Sequence, residues 1–115
     1  MPGAMRLLSW KCQGLGNPWT GRSLRKLVKE KDPTVCFLME TRLDNEGFEN
    51  LYNNLPFHNR IFAKHPNAGG GLALLWKNTI KLEIINYNVN HVMALVTEED
   101  GFKWYLTGFY GWLEA

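Results

Sequence analysis

The residues in this chain best placed to do chemistry gather at the end of one apolar run. Thr34-Val35-Cys36-Phe37-Leu38-Met39 is unbroken hydrophobic sequence, and it stops abruptly at Glu40-Thr41-Arg42. A carboxylate at the end of a buried strand is costly unless a cation or a set of donors answers it. Lys11 and Arg42 are the cations available for a structural ion pair. His58, His65 and His91 read as solvated loop or strand-end histidines. Cys12 and Cys36 both sit in apolar runs and read as buried free thiols, because a disulfide framework or a zinc site needs more ligands at tighter spacing. Gly69-Gly70-Gly71 lacks the lysine and hydroxyl residue of a phosphate-binding loop and reads as a hairpin turn. Arg22, Arg25, Lys26 and Lys29 form a basic surface with two readings, a solvated helix face or a set of phosphate-binding groups.

The elements that must position these residues follow from patterning. Met5 to Trp10 predicts a first strand, closed by Gly14-Leu15-Gly16-Asn17-Pro18. Asn17 suits an N-cap and Pro18 the first helical position, where a missing N–H costs nothing. The helix runs to about Lys31, with Leu24, Leu27 and Val28 on one stripe and the basic residues off it. Asp32-Pro33 ends it, since the residue before proline is pushed out of the α region. The next run, Thr34 to Met39, lacks alternation and so predicts a strand covered on both faces, with the helix as crossover. A short helical turn is expected within Phe48–Leu55. Strands are expected at Arg60–Lys64, Leu72–Trp76, Lys81–Ile85, His91–Thr97 and Phe102–Tyr110, with Asp100-Gly101 as a hairpin turn. The order is β-α-β followed by a meander of short strands.

Composition sets the outer bounds. The chain has 115 residues, 45% hydrophobic and 21% charged, which suits one globular domain rather than disorder. Five Trp, six Phe and four Tyr supply a core. A net charge of +2 makes no bulk case for nucleic acid, so any basic footprint must be local. No apolar stretch is long enough to span a bilayer, and Met1-Pro2-Gly3-Ala4 has none of the regions of a signal peptide. The expected location is nuclear or cytoplasmic rather than secreted. Residues 5–115 are expected to form the domain, with 1–4 a disordered N-terminus.

Three stretches, in order, carry a resemblance: Leu7-Leu8-Ser9-Trp10-Lys11-Cys12-Gln13-Gly14-Leu15-Gly16, Phe37-Leu38-Met39-Glu40-Thr41-Arg42 and Leu106-Thr107-Gly108-Phe109-Tyr110-Gly111. Together they resemble the endonuclease/exonuclease/phosphatase superfamily, in the version found at the N-terminus of LINE-type (non-LTR) retrotransposon polyproteins. The segment Gly-Gly-Gly-Leu-Ala-Leu-Leu-Trp at 69–76 points to the plant-type elements. The resemblance implies an α/β (α+β) fold, the N-terminal half of a four-layer sandwich with mixed sheet and outer helices, incomplete as it stands. It implies DNA-nicking phosphodiester hydrolysis with Mg²⁺, a hard cation that takes oxygen ligands from one or two carboxylates and water. Glu40 matches the family's metal-binding glutamate, and Tyr110 the tyrosine that lies against the scissile phosphate.

Departures from the family pattern qualify that expectation. Lys11 stands where the family has an asparagine, and an ammonium has three donors and no acceptor, so it cannot ligate a metal. Beside Glu40 it would pair with the carboxylate and repel a dication. Gln13 replaces an arginine, and Gly111-Trp112-Leu113-Glu114-Ala115 contains none of the family's later Asp-x-Asn and Asp-His groups. The leading expectation is therefore a truncated, inactive copy of such an endonuclease. The alternatives are a nucleic-acid-binding remnant using Arg22, Arg25, Lys26, Lys29 and Arg42 on DNA, or the N-terminal piece of a longer active enzyme. The remainder of the domain or a reverse transcriptase polyprotein would then be its partner. A sandwich cut after Tyr110 is also expected to expose a sheet edge and an apolar face, and to be poorly soluble alone.

Overall fold

A computed structural model of the chain describes residues 5–12, 14–15, 18–64 and 71–109. Within them the expected βαβ unit is present: β1 (Leu7–Lys11), α1 (Pro18–Lys31) and β2 (Val35–Met39), with β1 and β2 parallel. Leu24 and Val28 of α1 are fully or almost fully buried, so the apolar stripe meets the sheet as its spacing requires. Val35 to Leu38 are all buried, as expected of a strand covered on both faces. The expected Asn17 cap and residues 1–4 lie outside the described residues.

The second helix differs from expectation in its bounds. The sequence suggests one turn within Phe48–Leu55; α2 instead spans Asn45–Tyr52. Asp44 caps it, its side chain accepting a hydrogen bond from the Gly47 N–H at 2.7 Å, so the helix starts a turn earlier than its apolar residues suggest. Phe48 and Leu51 face inward, and Phe48 stacks on Phe62 with ring centroids 4.4 Å apart.

The strands form two sheets. With β3 (Asn59–Ala63) and β4 (Leu72–Trp76), the first sheet has the order β1-β2-β4-β3, in which β4 runs antiparallel to both neighbours. The second sheet is a meander of β5 (Lys81–Tyr87), β6 (His91–Thr97) and β7 (Lys103–Phe109). Gly101 turns β6 into β7 at a φ of 88°, in keeping with its position after Asp100. β5 runs two residues beyond its expected end at Ile85, and a register shift between Ile84 and Asn86 absorbs the extra residue.

Two cores result. One lies between the helices and the outer face of the first sheet, with Leu24, Val28, Phe48 and Leu51 on Cys36, Leu38, Ala73 and Leu75. The other lies between the sheets, where Phe37, Leu72, Leu74 and Trp76 meet Val92, Val96 and Leu106. Gly108 is needed at this interface, because a Cβ there would sit 2.9 Å from the Phe37 ring. The layers run helices, first sheet, second sheet. Both described helices pack on the first sheet, so this is the expected α/β sandwich in partial form.

Candidate functional site

Parallel pairing places the C-terminal ends of β1 and β2 side by side, with Lys11 opposite Met39. Beyond that pair the backbones stay linked. Cys12, Gly14 and Leu15 donate to the carbonyls of Met39, Glu40 and Thr41 at 2.8, 3.0 and 2.9 Å. Lys11, Glu40 and Arg42 are thereby held within reach of one another.

Glu40 is buried at this sheet end, and both its carboxylate oxygens face cations. Arg42 donates from Nη2 to Oε1 at 2.6 Å, and the Lys11 ammonium lies 3.6 Å from Oε2. Oε2 has no hydrogen-bond partner among the described residues, so Lys11 answers it by charge alone. The hydrogen bond from Arg42 holds the Glu40 carboxyl below its ordinary value; burial opposes this and the Lys11 charge reinforces it. Glu40 is therefore a carboxylate at neutral pH, in the paired state that its place in the sequence demands.

The backbone here is left-handed at two non-glycine residues, Glu40 at φ 55° and Arg42 at φ 53°. Such residues each cost about 1–3 kcal/mol and persist only where the surroundings impose them. Thr41 between them is fully buried, and its hydroxyl has no hydrogen-bond partner among the described residues. Gly14, at φ 97°, lies directly under Arg42, whose Cδ would be 3.3 Å from any Cβ added there. Neither Thr41 nor Gly14 stands out as a site residue in the sequence. Only Gly14 leaves a signal there, as the first glycine of the turn after β1.

The basic helix face stands apart from this cluster but leads to it. Arg22, Arg25, Lys26 and Lys29 are all exposed on α1 or nearly so. The crossover puts the start of α1 at the same end of the sheet as Glu40, and Arg22 is the first of the four along that helix. Arg22 lies over the exposed Trp19 ring at 5.1 Å from its centroid, and Lys29 follows about 10 Å farther along the axis. The two described histidines join no site. The His58 ring accepts from the Asn78 N–H at 3.2 Å, and His91 Nε2 lies 2.6 Å from Asn86 Oδ1. Burial pushes both thiols, Cys12 and Cys36, up to about 12. Gln13, His65, Gly69, Gly70, Tyr110 and Trp112 lie outside the described residues.

The chain belongs to the Endonuclease/Exonuclease/phosphatase family, whose model matches residues 8–113. No curated protein matches the sequence. Solved structures match its fold. D. rerio TDP2 complexed with a single-strand DNA product is 24% identical, with a TM-score of 0.65 over 90% of this chain and 44% of that one. The AP endonuclease LMAP from Leishmania major is 15% identical, with a TM-score of 0.65 over 92% of this chain and 40% of that one. The Xenopus laevis APE2 catalytic domain is 13% identical, with a TM-score of 0.61 over 90% and 43% respectively. The chain thus spans less than half the length of each of these three proteins.

Enzymes of this family generally depend on a divalent metal. The described residues do not fit such an ion. No three His, Cys, Asp or Glu side chains cluster among them, and the one carboxylate at the sheet end already holds two cationic side chains. A dication would have to displace Arg42 and approach Lys11 against its charge.

Proposed function

We propose that this chain is a LINE-type, plant-type retrotransposon relative within the family, and that it binds DNA without hydrolysing it. One observation carries the reading: Glu40, which matches the family's metal-binding glutamate, is neutralised by Arg42 and Lys11. With its carboxylate so occupied, the described residues offer no hard oxygen site that would hold Mg²⁺ against a phosphate. Lys11 disables the site in this reading, and Tyr110 keeps at most an interaction with the phosphate backbone. The exposed Arg22, Arg25, Lys26 and Lys29, with the half-exposed Arg42, supply a sequence-independent footprint for DNA. Residues 5–115 act as the folded unit, in the nucleus or cytoplasm. D. rerio TDP2 has been seen with single-strand DNA product, which supports DNA as the partner class.

The test is supercoiled plasmid incubated with the purified chain and Mg²⁺, paired with DNA binding measured across a salt series. The expected result is no nicking, with binding that weakens as salt rises. Arg25→Glu and Lys29→Glu should each reduce the salt slope by about one. Mg²⁺-dependent nicking abolished by Glu40→Ala would overturn the reading, as would an absence of binding at low salt.

A second reading is favoured by one observation, the span of less than half of each matched structure. In it the chain works as the N-terminal piece of a longer endonuclease, joined to the remainder of the domain or to a reverse transcriptase polyprotein. Coding sequence for Asp-x-Asn and Asp-His groups in frame beyond Ala115 decides for it.

A further inference from the structure

The exposed face of α1 carries an aromatic ring as well as charge. Trp19, Arg22, Lys26 and Lys29 recur at spacings of three, four and three residues, which puts them in one stripe opposite the buried Leu24 and Val28. At the rise of an α-helix the stripe is about 15 Å long. Its charge is uncompensated. α1 holds five basic side chains against one carboxylate, Glu30, and none of the five forms an ion pair among the described residues. Lys11, Arg42, Arg60 and Lys77, by contrast, are each matched to a carboxylate. The tryptophan stands apart too. Trp76 is buried between the sheets, and Trp10 and Trp104 pack against a core, whereas Trp19 belongs to neither core and is 71% exposed. The Arg22 guanidinium lies over its ring.

We propose that this stripe binds single-stranded DNA, with an unpaired base stacked on Trp19 and the following phosphates laid along Arg22, Lys26 and Lys29. The proposal rests on the DNA binding argued above and names the form of DNA that is bound. Phosphate contacts alone do not select a form, since a basic helix attracts any polyanion. An exposed indole does select one, because it stacks on the flat face of a base, and that face is open only when the base is unpaired. Arg22 holds the plane of the ring and keeps a cation beside it for the phosphate next to the stacked base. A membrane is the other polyanion that a basic helix with a tryptophan can meet. An interfacial helix buries an apolar face in lipid, however, and Leu24 and Val28, the apolar face of α1, already pack on the first sheet. The start of α1 also lies at the end of the fold that carries Lys11 and Arg42, so the ring and the sheet-end cations share one side of the molecule.

The test is binding of the whole chain to a labelled oligothymidylate and to a mixed-sequence duplex of the same length, by fluorescence anisotropy across a salt series. Sedimentation with phosphatidylserine vesicles runs alongside. At about 0.15 M salt, where phosphate contacts are weakened, the single strand should bind more tightly than the duplex. Trp19→Ala should lower single-strand affinity by about fivefold to a hundredfold, leave its salt slope unchanged and alter duplex affinity by less than about twofold. Trp19→Phe, which keeps a ring, should retain most of the affinity. Lys29→Glu should instead lower the salt slope for both forms. Far-ultraviolet circular dichroism should be the same for Trp19→Ala and wild type, because the residue lies outside both cores. A duplex bound as tightly as the single strand, or equal weakening of both by Trp19→Ala, overturns the proposal and leaves the proposed function standing. Tighter binding to the vesicles than to the single strand overturns it too. Absence of binding to either DNA at low salt removes both.

Discussion

Replacing Arg42 by alanine and, separately, by glycine distinguishes two forces at the end of β2. Alanine removes the guanidinium 2.6 Å from Glu40 Oε1 and leaves the buried carboxylate facing only the Lys11 ammonium at 3.6 Å. At 2.6 Å, two unit charges interact by about 1.6 kcal/mol in water and about 6 kcal/mol at an effective dielectric of 20. The Arg42 side chain is 45% exposed and that of Glu40 11%, so solvent screens one partner and the low end governs. A charge-assisted hydrogen bond in that setting contributes about 2 kcal/mol. Glycine loses the same bond but relieves the left-handed backbone at φ 53°. That relief is about 1–2 kcal/mol, partly offset by the greater freedom of unfolded glycine, for a net gain of roughly 0.5–1 kcal/mol over alanine. Thermal unfolding followed by tryptophan fluorescence, at one fixed protein concentration, reads both. With about 4–5 °C per kcal/mol for a domain of this size, Arg42→Ala lowers Tm by about 8–10 °C and Arg42→Gly by about 2–5 °C less. Equal losses for the two variants, or a larger loss for glycine, refute the claim that the backbone there is strained. An unchanged Tm for alanine refutes the ion pair.

Other perturbations test neighbouring claims. Glu40 and Asp32 are both held below the ordinary carboxylate range, by hydrogen bonds from Arg42 and Lys77 respectively. Their stabilisation is present above the unfolded value and lost as pH falls through the folded one, so Tm should drop below about pH 4.5, and Glu40→Gln should flatten that drop. Gly108→Ala forces a methyl against the Phe37 ring and should cost about 1–3 kcal/mol in urea unfolding, with Phe37→Leu restoring part of it. Asp44→Ala removes the α2 cap and should cost about 1 kcal/mol by the same measurement. With thiols raised from 9.0 to about 12, Cys12 and Cys36 should react with a thiol reagent at pH 8 about a thousandfold more slowly in the native chain than after unfolding.

Local order is legible where short-range chemistry dictates it. Pro18, the Leu24–Val28 stripe and Asp32-Pro33 bracket α1, and the alternation of Val92, Ala94 and Val96 marks the buried face of β6. The start of α2 is hidden because its apolar residues sit late in the helix, while Asp44 and Gly47 begin it through a side-chain cap. The insertion of β4 between β2 and β3 is not legible, since three apolar runs can pair in several orders and only long-range packing selects one. At the site, Lys11 and Glu40 can be matched because equal-length strands in parallel register bring their ends together. The left-handed turns at Glu40 and Arg42 cannot, because neither residue type signals a positive φ.

The placement of Glu40 has a consequence for how the molecule opens. β2 and β4 are buried along nearly their whole length and paired on both sides, so their amides should be the last to exchange with solvent. α2 and β3, which lie between them in the chain, can fray without parting that pair. Glu40 hangs from the end of the strand that opens last. Local breathing therefore leaves its carboxylate in position, and a competing cation gains access only when the half-exposed side chains of Lys11 and Arg42 swing away. Such swings take nanoseconds, whereas release of the strand requires global unfolding. Exchange of cations at Glu40 is thus decoupled from the stability of the fold that carries it.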